Sequence, residues 1–406
     1  MPDVTLRIDH LGARGDGVAH GADGAPHYVP FTAPGDEVRL AGGRVEILKP
    51  GAARVAPRCP HFGTCGGCAL QHVDEATYRQ WLVDRVAMAL AQHGLACDIR
   101  APAVSPPGSR RRAAWHARWQ DGRLALGYAA WRSNRLVDLD ACPVLAPPLL
   151  ALIPPLRESL RRVLPARGSV RIAATLTPVG IDLVLEGIAG DLATRQALAA
   201  FAGAQDLARL TLADGAGGME DIYQARQPVV RMGKALVPLP PGGFIQATAQ
   251  SEAALLAGVR EGVGTARRVA DLFAGLGTFA FPLGVEAKIH AVEGWKPAVD
   301  AVLAAGASQY AITVAHRDLF RRPLSAEELS PFEAVIFDPP RTGAMTQCAI
   351  LASVAVPRVV AVSCNPNTFA RDAALLVGGG YRLSWARPVG QFLWSREVEL
   401  VALFSR

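Results

Sequence analysis

Lysine is nearly absent from this chain: of its 42 basic residues only Lys49, Lys234, Lys288 and Lys296 are lysine. The net charge of +6, with a pI near 9.1, is therefore carried by arginine. A basic balance suits a polyanionic partner, although an arginine- and alanine-rich composition is also what a GC-rich genome produces. No uninterrupted run of about 18 apolar residues occurs, so a membrane span is not expected. The opening "MPDVTLRIDH" lacks a basic segment followed by an apolar one, which predicts no secretory leader and a cytoplasmic protein. Internal repeats and low-complexity segments are missing too. Cysteine is scarce: seven residues, an odd number at uneven spacing, which argues against a disulfide framework. Metal ligation or thiol chemistry remains.

What is present is a globular composition: half of the 406 residues are hydrophobic and 19% are charged, enough for two to four domains. Residues 4 to about 57 alternate in short stretches ("VTLRI", "HYVPF", "EVRLAG") between glycine-rich turns, which predicts a small β-barrel of the oligonucleotide-binding sort. "CPHFGTCGGC" then packs Cys59, Cys65 and Cys68 into ten residues. Asp74 is placed to cap a helix running to about Gln92, with Tyr78, Leu82, Val86 and Leu90 at helical spacing. "SRRRAAWHARWQ" interleaves Arg110, Arg111 and Arg112 with Trp115 and Trp119, a mixture suited to gripping phosphates and stacking bases; a hairpin with solvated arginines fits equally. Residues 150 to 230 mix helix-like and strand-like runs without recognisable chemistry.

From about residue 265 strands alternate with helices, which predicts a doubly wound α/β sheet with ligands at the carboxyl ends of its strands. "DLFAGLGTFA" is a strand, a glycine turn and a helix start, and Glu293 ends the next strand, 22 residues after Asp271. A carboxylate there accepts hydrogen bonds from ribose hydroxyls, in dinucleotide and S-adenosylmethionine sites alike. Asp271 ahead of the loop and "FDPP", with Asp338, at the end of a later strand favour S-adenosylmethionine. "VVAVSCNPNTFARD" puts Cys364 between a strand and a helix that Thr368 can cap, where helix amides are expected to lower the thiol pKa. A thiolate beside a methyl donor suits methylation of uracil carbon 5, which becomes nucleophilic only after a thiolate adds to carbon 6. A base must then take the carbon 5 proton. "REVELVALF" offers Glu397 and Glu399, which strand alternation puts on one face, so spacing does not choose between them.

These motifs together closely resemble the RNA uracil-C5-methyltransferase family, whose members include bacterial 23S rRNA 5-methyluridine methyltransferases and a tRNA methyltransferase. "SCNPNTFARD" is similar to its nucleophile motif, "FDPPRTG" to its acidic loop and "GGFIQAT" to the motif opening its catalytic domain. The barrel resembles a TRAM domain, and the resemblance spans nearly the whole chain. It implies three parts: a TRAM-like barrel over 1–57, a central α+β domain over 58–230 and a Rossmann-like methyltransferase domain over 231–406. It implies that Cys364 is the nucleophile and Glu399 the base. The cofactor contacts it implies are Gln246, Phe273, Thr278, Glu293, Asp318 and Asp338. It further implies a [4Fe-4S] cluster on Cys59, Cys65, Cys68 and, from "LDACPVL", Cys142. Four thiolates suit such a cluster and suit structural zinc as well. The cysteine spacing, five residues then two, is not that of radical S-adenosylmethionine enzymes, so radical chemistry is not expected. Thr248, Thr278, Glu397 and Phe369 depart from the family's usual asparagine, asparagine, histidine and leucine.

The expectation is therefore a monomeric, cytoplasmic, S-adenosylmethionine-dependent enzyme acting on a uridine of 23S rRNA. Alternatives are a tRNA substrate, a non-catalytic RNA-binding or ribosome-assembly factor, and, more distantly, a nicotinamide oxidoreductase.

Overall fold

The structure is a computed structural model that describes residues 4–188 and 190–406. The N-terminal segment forms two three-stranded antiparallel sheets. One joins Val4–Arg7, Glu37–Ala41 and Arg44–Lys49; the other joins His10–Leu11, Gly17–His20 and Pro26–Val29. Leu6, Ile8, Ala19, Val29 and Val38 fill one small core between them. No strand ladder joins the two sheets among the described residues, so pairing does not close the expected barrel. The turn "APGD" is instead fixed by Asp36. Burial raises the pKa of this carboxyl, but Arg54 and the Gly51 and Ala33 amides outweigh that and hold it below the usual carboxylate range.

Asp74 caps helix Glu75–Ala91, its carboxylate accepting the Thr77 amide at 2.7 Å. Tyr78, Leu82, Val86 and Leu90 are buried as their spacing predicts, and the helix packs on helix Pro366–Gly378 and strand Arg382–Gly390. A seven-stranded sheet follows, in the order Leu136–Asp138, Arg123–Ala129, Arg112–Gln120, Ser169–Thr177, Gly180–Glu186, Arg209–Ala213 and Met219–Gln224. Helices Pro147–Val163 and Leu192–Ala204 share its core.

Here the "SRRR" stretch differs from the RNA-gripping surface it resembles. Alternation along Arg112–Gln120 turns Ala113, Trp115 and Ala117 inward, and Trp115 is 1% exposed. The Trp119 indole donates to the Leu164 carbonyl. Arg111 pairs with Glu252 at 2.5 Å, and Arg112 donates to the Ile245 carbonyl at 2.9 Å with its guanidinium over Phe244. These arginines fasten the central sheet to the segment that opens the catalytic half. Arg110 lines the cavity that also holds Cys59, Cys65, Cys68 and Cys142. Arg111→Ala is accordingly expected to cost roughly 2 kcal/mol, less than the ~3–5 for breaking a fully buried pair, because Glu252 is left largely buried without its cation. A melting temperature lowered by a few degrees checks this.

The catalytic sheet has the order Ile312–His316, Lys288–Glu293, Arg268–Leu272, Ala334–Phe337, Arg358–Ser363, Glu399–Ser405, Arg382–Gly390. The first five strands are parallel and Glu399–Ser405 runs antiparallel to both its neighbours. Two short strands from earlier in the chain, Asp98–Ile99 and Ala103–Val104, pair with Arg382–Gly390 and extend the edge. No helix is long and apolar enough to cross a membrane, among the described residues.

Candidate active site

The parallel strands deliver their chemistry at their carboxyl ends, where a doubly wound sheet binds its ligands. Phe273 follows strand Arg268–Leu272, Glu293 ends the next, Asp318 follows Ile312–His316, Asp338 follows Ala334–Phe337 and Cys364 follows Arg358–Ser363. Glu399 comes from the opposite direction. Its strand is antiparallel, with Leu400 opposite Ser363, so its first residue enters the sheet at the same end. All six, with Gln246 and Thr278, line one cavity of about 700 Å³. Every residue expected at the catalytic and cofactor site is thus brought to one place.

The glycine loop turns where Phe273, Gly275 and Gly277 take φ of 59°, 54° and 77°. That is the left-handed region, uncommon for a bulky residue such as phenylalanine. The Phe273 ring packs against that of Phe320, 5.4 Å between centroids. The Glu293 carboxylate accepts the Gly275 amide at 2.8 Å and the Trp295 amide at 2.6 Å, which clamps the loop to the next strand. Asp318 accepts the Phe320 amide at 2.9 Å. Thr248, the first of the departures, caps helix Ala249–Val263 and bonds the Ser105 hydroxyl at 2.7 Å, so it holds the fold rather than the ligand. Gln246 donates to Asp338 at 3.2 Å, and its own amide oxygen is buried without a partner among the described residues.

The site is strongly acidic. Burial, then the charges of Asp338 and Glu293, push Asp271 up to about 8. Burial raises Asp338 to about 7 and, with the charge of Asp338, lifts Glu399 well above the usual range. Glu399 is 3% exposed and accepts Gln391 Nε2 at 2.5 Å, while Gln391 Oε1 accepts the Ala247 amide at 3.1 Å. Gln391 so ties the base candidate to the segment carrying Gln246. No pattern in the sequence points to it.

Two expectations are corrected here. The helix after Cys364 is capped by Asn365, which accepts the Asn367 amide, and starts at Pro366, so Thr368 lies inside it. The Cys364 thiol is raised rather than lowered, to about 12. Burial is the largest cause, followed by the charges of Glu399 and Asp338, against which Arg341 pulls the other way. Burial, with the carboxylates facing the sulfur, wins over any lowering at this position.

Cys59, Cys65, Cys68 and Cys142 line a second cavity of about 490 Å³, and Cys364 and Arg341 line both cavities. Burial raises all four thiols, Cys68 to about 12, and Cys65, Cys68 and Cys142 each feel the charge of at least one other. Among the described residues no group of three or more His, Cys, Asp or Glu side chains is drawn together tightly enough to hold a metal ion. The donor chemistry nonetheless fits a thiolate-bound group, with four sulfurs around one cavity. Glu397 also faces this second cavity and pairs with Arg341, which separates it from Glu399.

No protein-family model matches the chain. A Caulobacter vibrioides protein described as an uncharacterized RNA methyltransferase is 44% identical over 424 aligned positions, covering 100% of both chains. A Rhizobium meliloti protein of the same description is 40% identical, again over 100% of both. The 23S rRNA (uracil(1939)-C(5))-methyltransferase RlmD of Halomonas elongata is 32% identical across 98% of this chain and 89% of its own. Among solved structures, the tRNA (uracil-54, C5)-methyltransferase of Pyrococcus abyssi, in complex with S-adenosyl-L-homocysteine, superposes with a TM-score of 0.76. That match covers 99% of this chain and 100% of the other at 22% identity, which shows the fold. The fold is therefore that of an α/β methyltransferase. More particularly, the chain belongs to the RNA methyltransferase family.

Proposed function

We propose that the protein methylates carbon 5 of a uridine in 23S rRNA, with S-adenosylmethionine as donor. The observation that carries this reading is that a thiol, Cys364, and a buried carboxylate, Glu399, face one cavity with the glycine loop, Glu293, Asp318 and Asp338. The 32% identity to an enzyme named for that reaction supports the choice of RNA and of atom.

When bound, S-adenosylmethionine supplies an electrophilic methyl group and a positive sulfonium. Gln246, Phe273, Thr278, Glu293, Asp318 and Asp338 line the cavity as its contacts, and the acidity of the site suits a cation. Burial, and then the charges of Glu399 and Asp338, raise the Cys364 thiol, and a cation in the cavity pulls it back towards the thiolate. The Cys364 thiolate adds to carbon 6 of the flipped-out uracil, and the displaced electron pair moves to the carbon 4 carbonyl. Carbon 5 would then take the methyl group as the methyl–sulfur bond breaks, the bonding pair staying on the donor's sulfur as a neutral thioether. Glu399, whose raised proton affinity suits a base, removes the carbon 5 proton, and the returning electrons expel Cys364 as thiolate.

The test is to map 5-methyluridine in rRNA and tRNA from cells with and without the gene. Loss of one 23S rRNA site is the expected result. Loss confined to tRNA, or no loss at all, overturns the rRNA reading or the enzymatic one. The protein works as a cytoplasmic monomer in this reading.

The four cysteines carry a second part of the reading. Cys59, Cys65, Cys68 and Cys142 hold a [4Fe-4S] cluster that fixes the central domain against the catalytic cavity. Protein purified without oxygen is expected to be brown and to contain about four irons per chain. A colourless protein with a single zinc overturns the cluster and leaves the methyl transfer untouched.

A further inference from the structure

The cavity that holds the cysteines also adjoins a third, which the mechanism does not use. Arg341 and Cys364 line both the catalytic and the cysteine cavity, and Gln71 lines both the cysteine cavity and this third one of about 550 Å³. Its walls come from Val55, Ala56 and Arg58, the start of helix Glu75–Ala91, residues 104–107 and Leu393–Trp394. The three cavities thus follow one another through shared walls, from the nucleophile to the junction of the N-terminal and catalytic parts.

Two side chains give this third cavity its character. Trp394 has a left-handed backbone, φ 60°. Its carbonyl accepts the Ala69 and Leu70 amides at 2.7 and 3.0 Å, and its amide donates to the Tyr78 hydroxyl at 3.2 Å. A bulky residue in that conformation persists only where its surroundings fix it, and here the three bonds do so. The indole is partly exposed and the exposed Arg58 guanidinium stands over it, 5.8 Å from the ring centroid. The acids of the same cleft are engaged: Asp74 caps its helix, and Glu75 pairs with Arg79 at 2.8 Å. Arg58 has no carboxylate partner among the described residues. The uncommitted charge in the cleft is positive, and it lies beside an aromatic face.

From this geometry we infer that the cleft between Arg58 and Trp394 is a subsite for a single-stranded nucleotide of the RNA substrate, flanking the one that enters the catalytic cavity. It rests on the reading of the chain as an RNA uridine methyltransferase. The base stacks on Trp394, as sequence-tolerant single-strand sites do, and the phosphate meets Arg58. Reading a flanking nucleotide here helps hold the strand open while the target base reaches Cys364.

The test uses full-length protein purified without oxygen and a labelled single-stranded RNA of mixed sequence, about a dozen nucleotides long. Affinity is measured by anisotropy over a range of salt. Arg58→Ala is expected to weaken binding and to reduce the salt slope by about 0.7, the loss of one single-strand phosphate contact. Trp394→Leu is expected to lose about fivefold or more, the lower end for one stacked base, while Trp394→Phe stays within about twofold of wild type. S-adenosylhomocysteine affinity should not move in any variant, which separates the subsite from the fold of the cofactor cavity. Wild-type affinity and slope in both Arg58→Ala and Trp394→Leu overturn the proposal. So does equal loss in the phenylalanine and leucine variants, because Trp394 would then be a packing residue only. Displacement by oligoglutamate as readily as by RNA would mark a general anion patch and also overturn it. A wild-type protein that binds RNA through this cleft but methylates no uridine strikes the proposed function and spares the subsite.

Discussion

Cys364→Ala is expected to abolish 5-methyluridine formation, by at least about 10⁴-fold, and to leave no covalent protein–RNA complex. RNA and S-adenosylhomocysteine should still bind, because Cys364 is half-buried at the mouth shared by two cavities and supports neither wall alone. Nothing else lining the catalytic cavity replaces it, since the other thiols lie in the adjoining cavity or elsewhere in the fold. The acidity around the sulfur adds a condition. With Glu399 and Asp338 facing it and the thiol raised to about 12, Cys364 in the protein alone is a poor nucleophile at neutral pH. Alkylation of Cys364, followed by peptide mass spectrometry at pH 8, is therefore expected to be slow beside that of an ordinary thiol. Methylation by Cys364→Ala at a measurable rate would remove the covalent route altogether.

The catalytic half was legible because its signals are local. A strand, a glycine turn and an acidic residue at the next strand's end occupy a few dozen residues, and the carboxyl-end rule then brings Glu293, Asp338 and Cys364 together, while Phe273 and Asp318 were expected there from the family resemblance. The Asp74 cap was legible for the same reason. What escaped depended on partners distant in sequence. Arg111 looks free until Glu252, 141 residues later, is placed beside it. Trp115 looks like a stacking residue until strand pairing decides which face is the core. The Cys364 thiol looks activated if only its own helix is considered, but it is raised by burial first and then by Glu399 and Asp338, which come from two other parts of the sheet. The N-terminal strands were readable from alternation, whereas their division between two sheets depends on where the chain crosses at Ile8 and Asp9.

The choice between Glu397 and Glu399 belongs to that second class, and it yields the sharpest test of mechanism. Strand alternation treats them alike, but the strand begins at Glu399, so Glu397 stands in the preceding loop. The Glu397 side chain is 39% exposed and pairs with Arg341, whereas Glu399 is buried, bonded to Gln391 and on the wall of the catalytic cavity. Of the two, Glu399 alone lines the catalytic cavity with Cys364, so the proposed mechanism gives it the carbon 5 proton. The base acts after methyl transfer, so its loss should stop the reaction with the substrate still attached. Glu399→Gln keeps the shape and a hydrogen bond to Gln391 but cannot accept the proton. It is expected to transfer one methyl group per chain and then stall, with the RNA linked to Cys364 through carbon 6. On a denaturing gel this is a slow-migrating band that carries label from both the RNA and the methyl donor. Steady-state turnover should fall by about 10²–10⁴-fold, the usual contribution of a positioned base. Glu397→Gln should turn over and leave no such band, with any loss arising through the freed Arg341. A doubly labelled band in Glu397→Gln together with normal turnover in Glu399→Gln reverses the assignment. The absence of a band in both, with Cys364→Ala inactive, would mean that a group other than these two carboxylates removes the proton.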